Sequence, residues 1–235
     1  MSIFSTVKLE SQLAAIFYFN NLRFENIEFT SKGYLFEFSH QFPTNVTINS
    51  STFTNIKSGS ILVTSSNLKN TAMTTNVLIQ NSIIDHIGQD STSFINVNEG
   101  GRLFISSCSF TNMYTFQDGA VISAGFQKTM TVIYDSVFQN NTSKNGGVLN
   151  VVDESVIKCY NCTLSNNFAL TSGVINVGQN GQFEFYNSKI FNNYANNNPV
   201  SLIFNTALDS VFDNTEIYGN RGLKNSEIVI EFGGI

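Results

Sequence analysis

Residues 136–152 read SVFQNNTSKNGGVLNVV, and residues 162–178 read CTLSNNFALTSGVINVG. Both hold an apolar residue, a pair of asparagines, a gap, a glycine and a short apolar run, in that order. Phe138 and Leu164 anchor the two copies, 26 residues apart. Working outward, one apolar anchor recurs in each unit: Phe24, Phe53, Ile84, Phe110, Phe138, Leu164, Ile190 and Ile217. The intervals are 29, 31, 26, 28, 26, 26 and 27 residues. Self-similarity with a period of roughly 20–50 residues is the signature of stacked units.

Other columns align on the same anchors. Five residues before them stand Phe19, Ile48, Ile79, Ile105, Ile133, Cys159, Phe185 and Phe212, all apolar. Seven before stand Phe17, Val46, Val77, Leu103, Thr131, Ile157, Phe183 and Ser210, mostly apolar. That two-residue spacing is the period of a strand with one buried face. Two before stand Leu22, Ser51, Ser82, Cys108, Ser136, Cys162, Ser188 and Thr215, mostly small, as a tight corner requires. Two after stand Asn26, Asn55, His86, Asn112, Asn140, Asn166, Asn192 and Gly219. Stacked asparagines pass amide hydrogen bonds from layer to layer and tolerate left-handed backbone at a bend. Gly33, Gly59, Gly119, Gly147 and Gly173 mark a second bend, followed by apolar runs such as VLNV and VINV.

Each unit therefore holds about three short strands and three bends, with no helical periodicity. Such strands bury their apolar columns by pairing with the same strand of the next unit. The expected fold is all-β: a right-handed parallel β-helix of about eight coils, three short strands per coil, in one domain over residues 1–235. At roughly 4.8 Å per coil the rod is about 38 Å long. An antiparallel sandwich is the alternative, but it has no need of one residue type at one offset in every strand.

Composition agrees. Charged residues are 12% of the chain, Pro numbers 2, Trp 0 and Phe 22, a balance suited to strands and polar turns. A net charge of −5 without a basic patch argues against nucleic acid. No apolar run approaches the roughly 18 residues of a membrane span. The start lacks the marks of a signal peptide, and the last nine residues, EIVIEFGGI, read like the opening of another coil. Both suit a piece of a longer chain. Residues 1–16 form either a short capping helix or a partial coil.

The stretch FQNNTSKNGGVL, residues 138–149, resembles the paired FxxN and GGA(I/L/V) repeats of chlamydial polymorphic outer membrane proteins. SNNFALTSGVI and FQDGAVI are weaker copies, and large Asn- and Phe-rich surface proteins of ciliates share the style. The resemblance implies a pectin-lyase-like β-helix forming an extracellular, adhesin-like rod. Outward aromatics and uncapped coil ends suggest protein neighbours or surface glycans as partners and lateral or end-to-end self-association, and no cofactor is expected. An intracellular assembly subunit is the competing context.

Three candidate sites stand out. Tyr134, Tyr160 and Tyr186 fall four before the anchor on successive coils and should form an outward ladder, either a binding surface for sugars or a partner or a self-stabilising stack. Lys158 and Glu184 share the neighbouring outward column as an expected ion pair. Among N-x-[ST] acceptors, Asn45 and Asn49 are the better glycosylation candidates. Polysaccharide lyases and hydrolases share this fold, yet only Asp85 and His86 resemble catalytic residues, and His86 occupies the asparagine column. A glycosidase needs two carboxylates roughly 5–10 Å apart, and no column supplies them. No catalytic residue, metal site or cofactor is expected. Cys159 and Cys162 spell C-x-x-C but sit in inward columns, as buried thiols or a local disulfide; Cys108 shares the corner column. Irregular inserts at 39–44, 64–76, 88–93, 113–118 and 196–199 should project from the bends.

Overall fold

A computed structural model describes residues 7–8, 15–40, 44–66, 75–89, 93–98, 100–116, 121–125, 129–144, 147–170, 174–178, 180–196, 200–204, 210–222 and 228–232. Every regular element among them is a β-strand. Strands Ala15–Asn20, Thr44–Asn49, Thr75–Gln80, Arg102–Ser106, Met130–Tyr134, Val156–Tyr160, Gln182–Tyr186 and Val211–Asp213 form one eight-stranded parallel sheet, stacked in chain order. This is the first face of the solenoid. Ile105, Ile133, Cys159 and Phe185 are direct neighbours across it.

The second face carries the anchors. Phe24 pairs with Phe53, Phe53 with Ile84, Ile84 with Phe110, and the column continues unbroken through Phe138, Leu164, Ile190 and Ile217. The third face holds Ile95–Val97, Ile122–Ala124, Leu149–Val151 and Ile175–Val177, again parallel and in register. Two-residue strands such as Thr142–Ser143 and Phe168–Ala169, which the repeat did not announce, link the second face to the third. The fold is the right-handed parallel β-helix class expected.

The coil count is corrected. Eight rungs exist on the first face, but the solenoid makes about 5 turns. Near the start, Arg23–His40 and Thr52–Ser66 run as single strands across the second and third faces, with a bulge between Glu28 and Gly33. Gly33 and Gly59 therefore lie within continuous strands rather than at a break. Near the other end, Val200–Phe204 and Ile228–Phe232 pair in a separate two-stranded sheet. Val7–Lys8 pairs with Phe36–Glu37, the position of a partial coil. Of the expected inserts, residues 41–43, 67–74, 90–92, 117–118 and 197–199 lie outside the described residues, whereas 64–66 and 75–76 belong to strands and Tyr114–Thr115 to a linking strand.

Inside, the columns stack like on like. Ile48, Phe53, Ile84, Phe110, Phe138 and Phe185 are fully buried. The Phe110 and Phe138 rings lie 4.9 Å apart and 3° from parallel. Coil-to-coil pairing thus converts a sequence repeat into a continuous apolar core.

Two corners recur in left-handed backbone. Three before the anchor, Asn21, Ser50, Asn81, Ser107, Asp135, Asn161, Asn187 and Asn214 have φ between 46° and 54°. Two after it, Asn26, Asn55, His86, Asn112, Asn140, Asn166 and Asn192 have φ between 51° and 57°. Left-handed backbone costs most side chains about 1–2 kcal/mol, least for Asn and Asp, which explains the asparagine excess. The small column beside the first corner has a second function. Ser136 Oγ donates to Tyr134 O at 2.7 Å and accepts from Cys108 N at 3.2 Å. Cys162 N donates to Ser188 Oγ at 3.1 Å in the same way. The column is a side-chain-to-backbone ladder wherever its next member is a serine. Gly147 has a different reason from the expected conformational one: a Cβ there would sit 2.7 Å from Phe168 O.

Candidate functional site

Outward residues of the first face inherit the same register. Tyr134 pairs with Tyr160, and Tyr160 with Tyr186. Their rings stack at 4.9 Å and 14°, then 4.9 Å and 7°. Parallel strands fix that spacing, so the three rings form one column standing off the sheet. The ring faces between them are occupied by each other. Only the two ends of the column leave a face open.

Beside the column lies a charged knot. Glu184 Oε1 accepts from Lys158 Nζ at 2.8 Å and from Gln182 Nε2 at 3.1 Å, and Glu184 Oε2 accepts from Tyr186 Oη at 3.1 Å. Glu184 is 8% exposed despite pointing outward. Its hydrogen bond holds the Lys158 ammonium above the ordinary lysine range. Burial, then Glu184, pushes the Tyr186 phenol up as well. The expected ion pair is present, and it pins one end of the tyrosine column.

The other end is built differently. Before Tyr134 the same column holds Ser106 and then Gln80, its paired neighbours on the two preceding strands. Neither Gln80 nor Ser106 has a side-chain hydrogen-bond partner among the described residues. Phe104, half-buried, flanks Ser106 on the same strand. Tyr134 is 43% exposed, whereas Tyr160 and Tyr186 are half-buried. The result is a step one rung deep, walled by the open Tyr134 ring.

The glycosylation candidates both lie on the first face. Asn45 is exposed, and its Oδ1 accepts from Asn76 at 2.9 Å. Asn49 donates Nδ2 to Asn20 at 3.0 Å and accepts from Asn81 at 3.1 Å, so it too belongs to an amide ladder. Asn49 pairs with Gln80 and so stands in line with the tyrosine column, three strands before Tyr134.

Asp85 and His86 sit on the second face, at a corner. His86 Nδ1 lies 2.7 Å from Asp85 Oδ2, while Asp85 Oδ1 accepts from Thr111 Oγ1 at 2.6 Å and Asn112 Nδ2 at 2.8 Å. Burial raises the Asp85 carboxyl, but these hydrogen bonds outweigh it and hold the group below its ordinary range. His86 has φ 52°, as its column neighbours do, so the pair is a corner ladder with its acceptor capacity engaged. The three cysteines are buried and unpaired. Burial pushes the Cys108 thiol up to about 11, and burial followed by Cys162 raises Cys159 well above its ordinary value. No group of three or more His, Cys, Asp or Glu side chains converges among the described residues, nor is any helix there long and apolar enough to cross a membrane.

The largest feature missed in the sequence is inward. Asn141, Asn167, Asn193 and Asn220, three after the anchor, are buried. Asn167 Nδ2 donates to Phe138 O at 3.1 Å and to Asn193 Oδ1 at 3.0 Å, while Asn167 Oδ1 accepts from Asn141 N at 2.9 Å and Asn141 Nδ2 at 3.0 Å. Asn193 repeats the pattern with Leu164 and Asn220. The signal was the second letter of the Asn-Asn pairs at 140–141, 166–167 and 192–193.

Compared with known proteins, the chain matches no family model, no curated protein and no solved structure.

Proposed function

We propose that the chain is a non-enzymatic β-helix rod, structural or adhesive, belonging to a larger protein of the cell surface or extracellular space. The observation that carries this reading is the tyrosine column. Three outward rings held at 4.9 Å on successive strands are a surface whose spacing the core dictates. Rods of this kind act by geometry: a stiff scaffold presents side chains in a fixed array to a neighbour or a ligand. The resemblance of residues 138–149 to chlamydial polymorphic outer membrane repeats supports an extracellular setting and a pectin-lyase-like ancestry. The Asp85–His86 pair supports the non-enzymatic reading, because Asp85 spends both oxygens on Thr111, Asn112 and His86.

The test is immunolabelling of the source cells with antibody raised against the purified chain. Labelling of intact cells is expected. Labelling only after permeabilisation overturns the surface assignment and favours an internal assembly subunit. Depolymerisation of an acidic polysaccharide by the chain, abolished in Asp85→Ala, would overturn the non-enzymatic part.

A further inference from the structure

We propose that the step at Tyr134 is a binding site for one pyranose ring of a glycan. The inference rests on the first face being a display surface, and it names what that surface takes. Within the tyrosine column each ring is covered by the next at 4.9 Å. At Ser106 the column lacks a ring, so a flat ligand stacked on Tyr134 occupies the place of the next rung. The wall is an aromatic face, which favours C–H-bearing apolar surface. The rim is neutral and polar: Ser106 offers a hydroxyl and Gln80 an amide, donor and acceptor both, and neither is engaged among the described residues. Phe104 lies two residues along the strand from Ser106. An apolar face bounded by hydroxyls is the chemistry of a pyranose with equatorial hydroxyl groups, as in β-linked gluco- or galacto-type residues. A fused aromatic ligand would satisfy the wall but leave Ser106 and Gln80 without partners. The opposite end of the column is unsuited to the same ligand, since Tyr186 donates its hydroxyl to Glu184 and the next residue in line is Asp213.

The test is saturation-transfer NMR of the whole chain against methyl β-glycosides and short β-linked oligosaccharides, with three proteins. The wild type is expected to show transfer concentrated on the ring C–H protons of a bound pyranose. Tyr134→Ala removes the wall and weakens binding by roughly tenfold or more. Ser106→Tyr extends the ladder into the step; it is expected to fold with unchanged or raised stability and to lose binding. A wild type that binds no sugar of the panel overturns the proposal. So does a folded Ser106→Tyr that binds as the wild type does, because the sugar then sits elsewhere. Either failure leaves the surface reading intact, since intact-cell labelling decides that separately.

Discussion

At Asn167 the chain concentrates polar bonding that elsewhere it spreads over backbone. Its amide satisfies Asn141 N, Phe138 O and two neighbouring side chains in a buried column. Asn167→Ala leaves the buried Asn141 N–H without a partner, worth about 1–3 kcal/mol, and removes the side-chain donor to Phe138 O. The expected loss is about 3 kcal/mol, read from urea denaturation. Its neighbour one residue earlier in the equivalent corner, Asn140, is exposed with φ 57°. Asn140→Gly and Asn140→Ala both lose the exposed 3.3 Å amide bond to Asn112 and differ in backbone strain, so the alanine variant should be about 1 kcal/mol less stable than the glycine variant. Thr131 makes the opposite case. It stands in an apolar column, fully buried, and its Oγ1 has no hydrogen-bond partner among the described residues. Thr131→Val exchanges an unpaired hydroxyl for a methyl and should stabilise by about 1 kcal/mol. A fall in the denaturation midpoint of that variant would show that the hydroxyl has a use.

At the scale of strands, the knot around Glu184 ties three residues on two adjacent strands. Lys158 and Tyr186 both have raised values, the first chiefly through Glu184, the second through burial and then Glu184. A raised value means stability that is complete below the group's ordinary range and is lost as pH rises through the shifted one. Glu184→Gln should therefore cost about 1 kcal/mol near neutrality, and its deficit against wild type should shrink above pH 10.5, the ordinary lysine value. Paired denaturation curves at neutral and alkaline pH measure this; a deficit that stays constant would mean Lys158 and Tyr186 contribute nothing through Glu184. The outward column and this ion pair were legible because strand alternation carries them unambiguously to one side. The buried asparagines were not, for a definite reason. Alternation from an inward anchor puts the second following residue inside, but left-handed backbone there turns Asn140, Asn166 and Asn192 out and sends Asn141, Asn167 and Asn193 in. A corner resets the parity on which strand reading depends. Earlier coils place Ile27, Ile56, Ile87 and Met113 at that position, which already marked it as inward.

For the whole molecule, the controlling quantity is the length of a lap. Phe138 and Leu164 are 26 residues apart, and Gln139 pairs with Ser165 directly across the sheet. Deleting residues 139–164 therefore joins Phe138 to Ser165 with every column kept, and removes one layer. In a solenoid each layer contacts only its neighbours, so stability is roughly a sum over layers and interfaces. The shortened chain should keep its strand circular dichroism and a cooperative transition, with a lower midpoint and a smaller urea m-value, because less surface is exposed on unfolding. Deleting 139–163 instead brings Leu164 against Phe138 and slips the second face by one residue. The corners on either side each turn on one residue of fixed left-handed backbone and have no slack to absorb the slip. A one-residue slip exchanges inward for outward along the strand. That variant should lose the cooperative transition or precipitate. If the two deletions behaved alike, the register of the anchor column would not be what holds the rod together, and the fixed spacing of its outward rings would lose its cause.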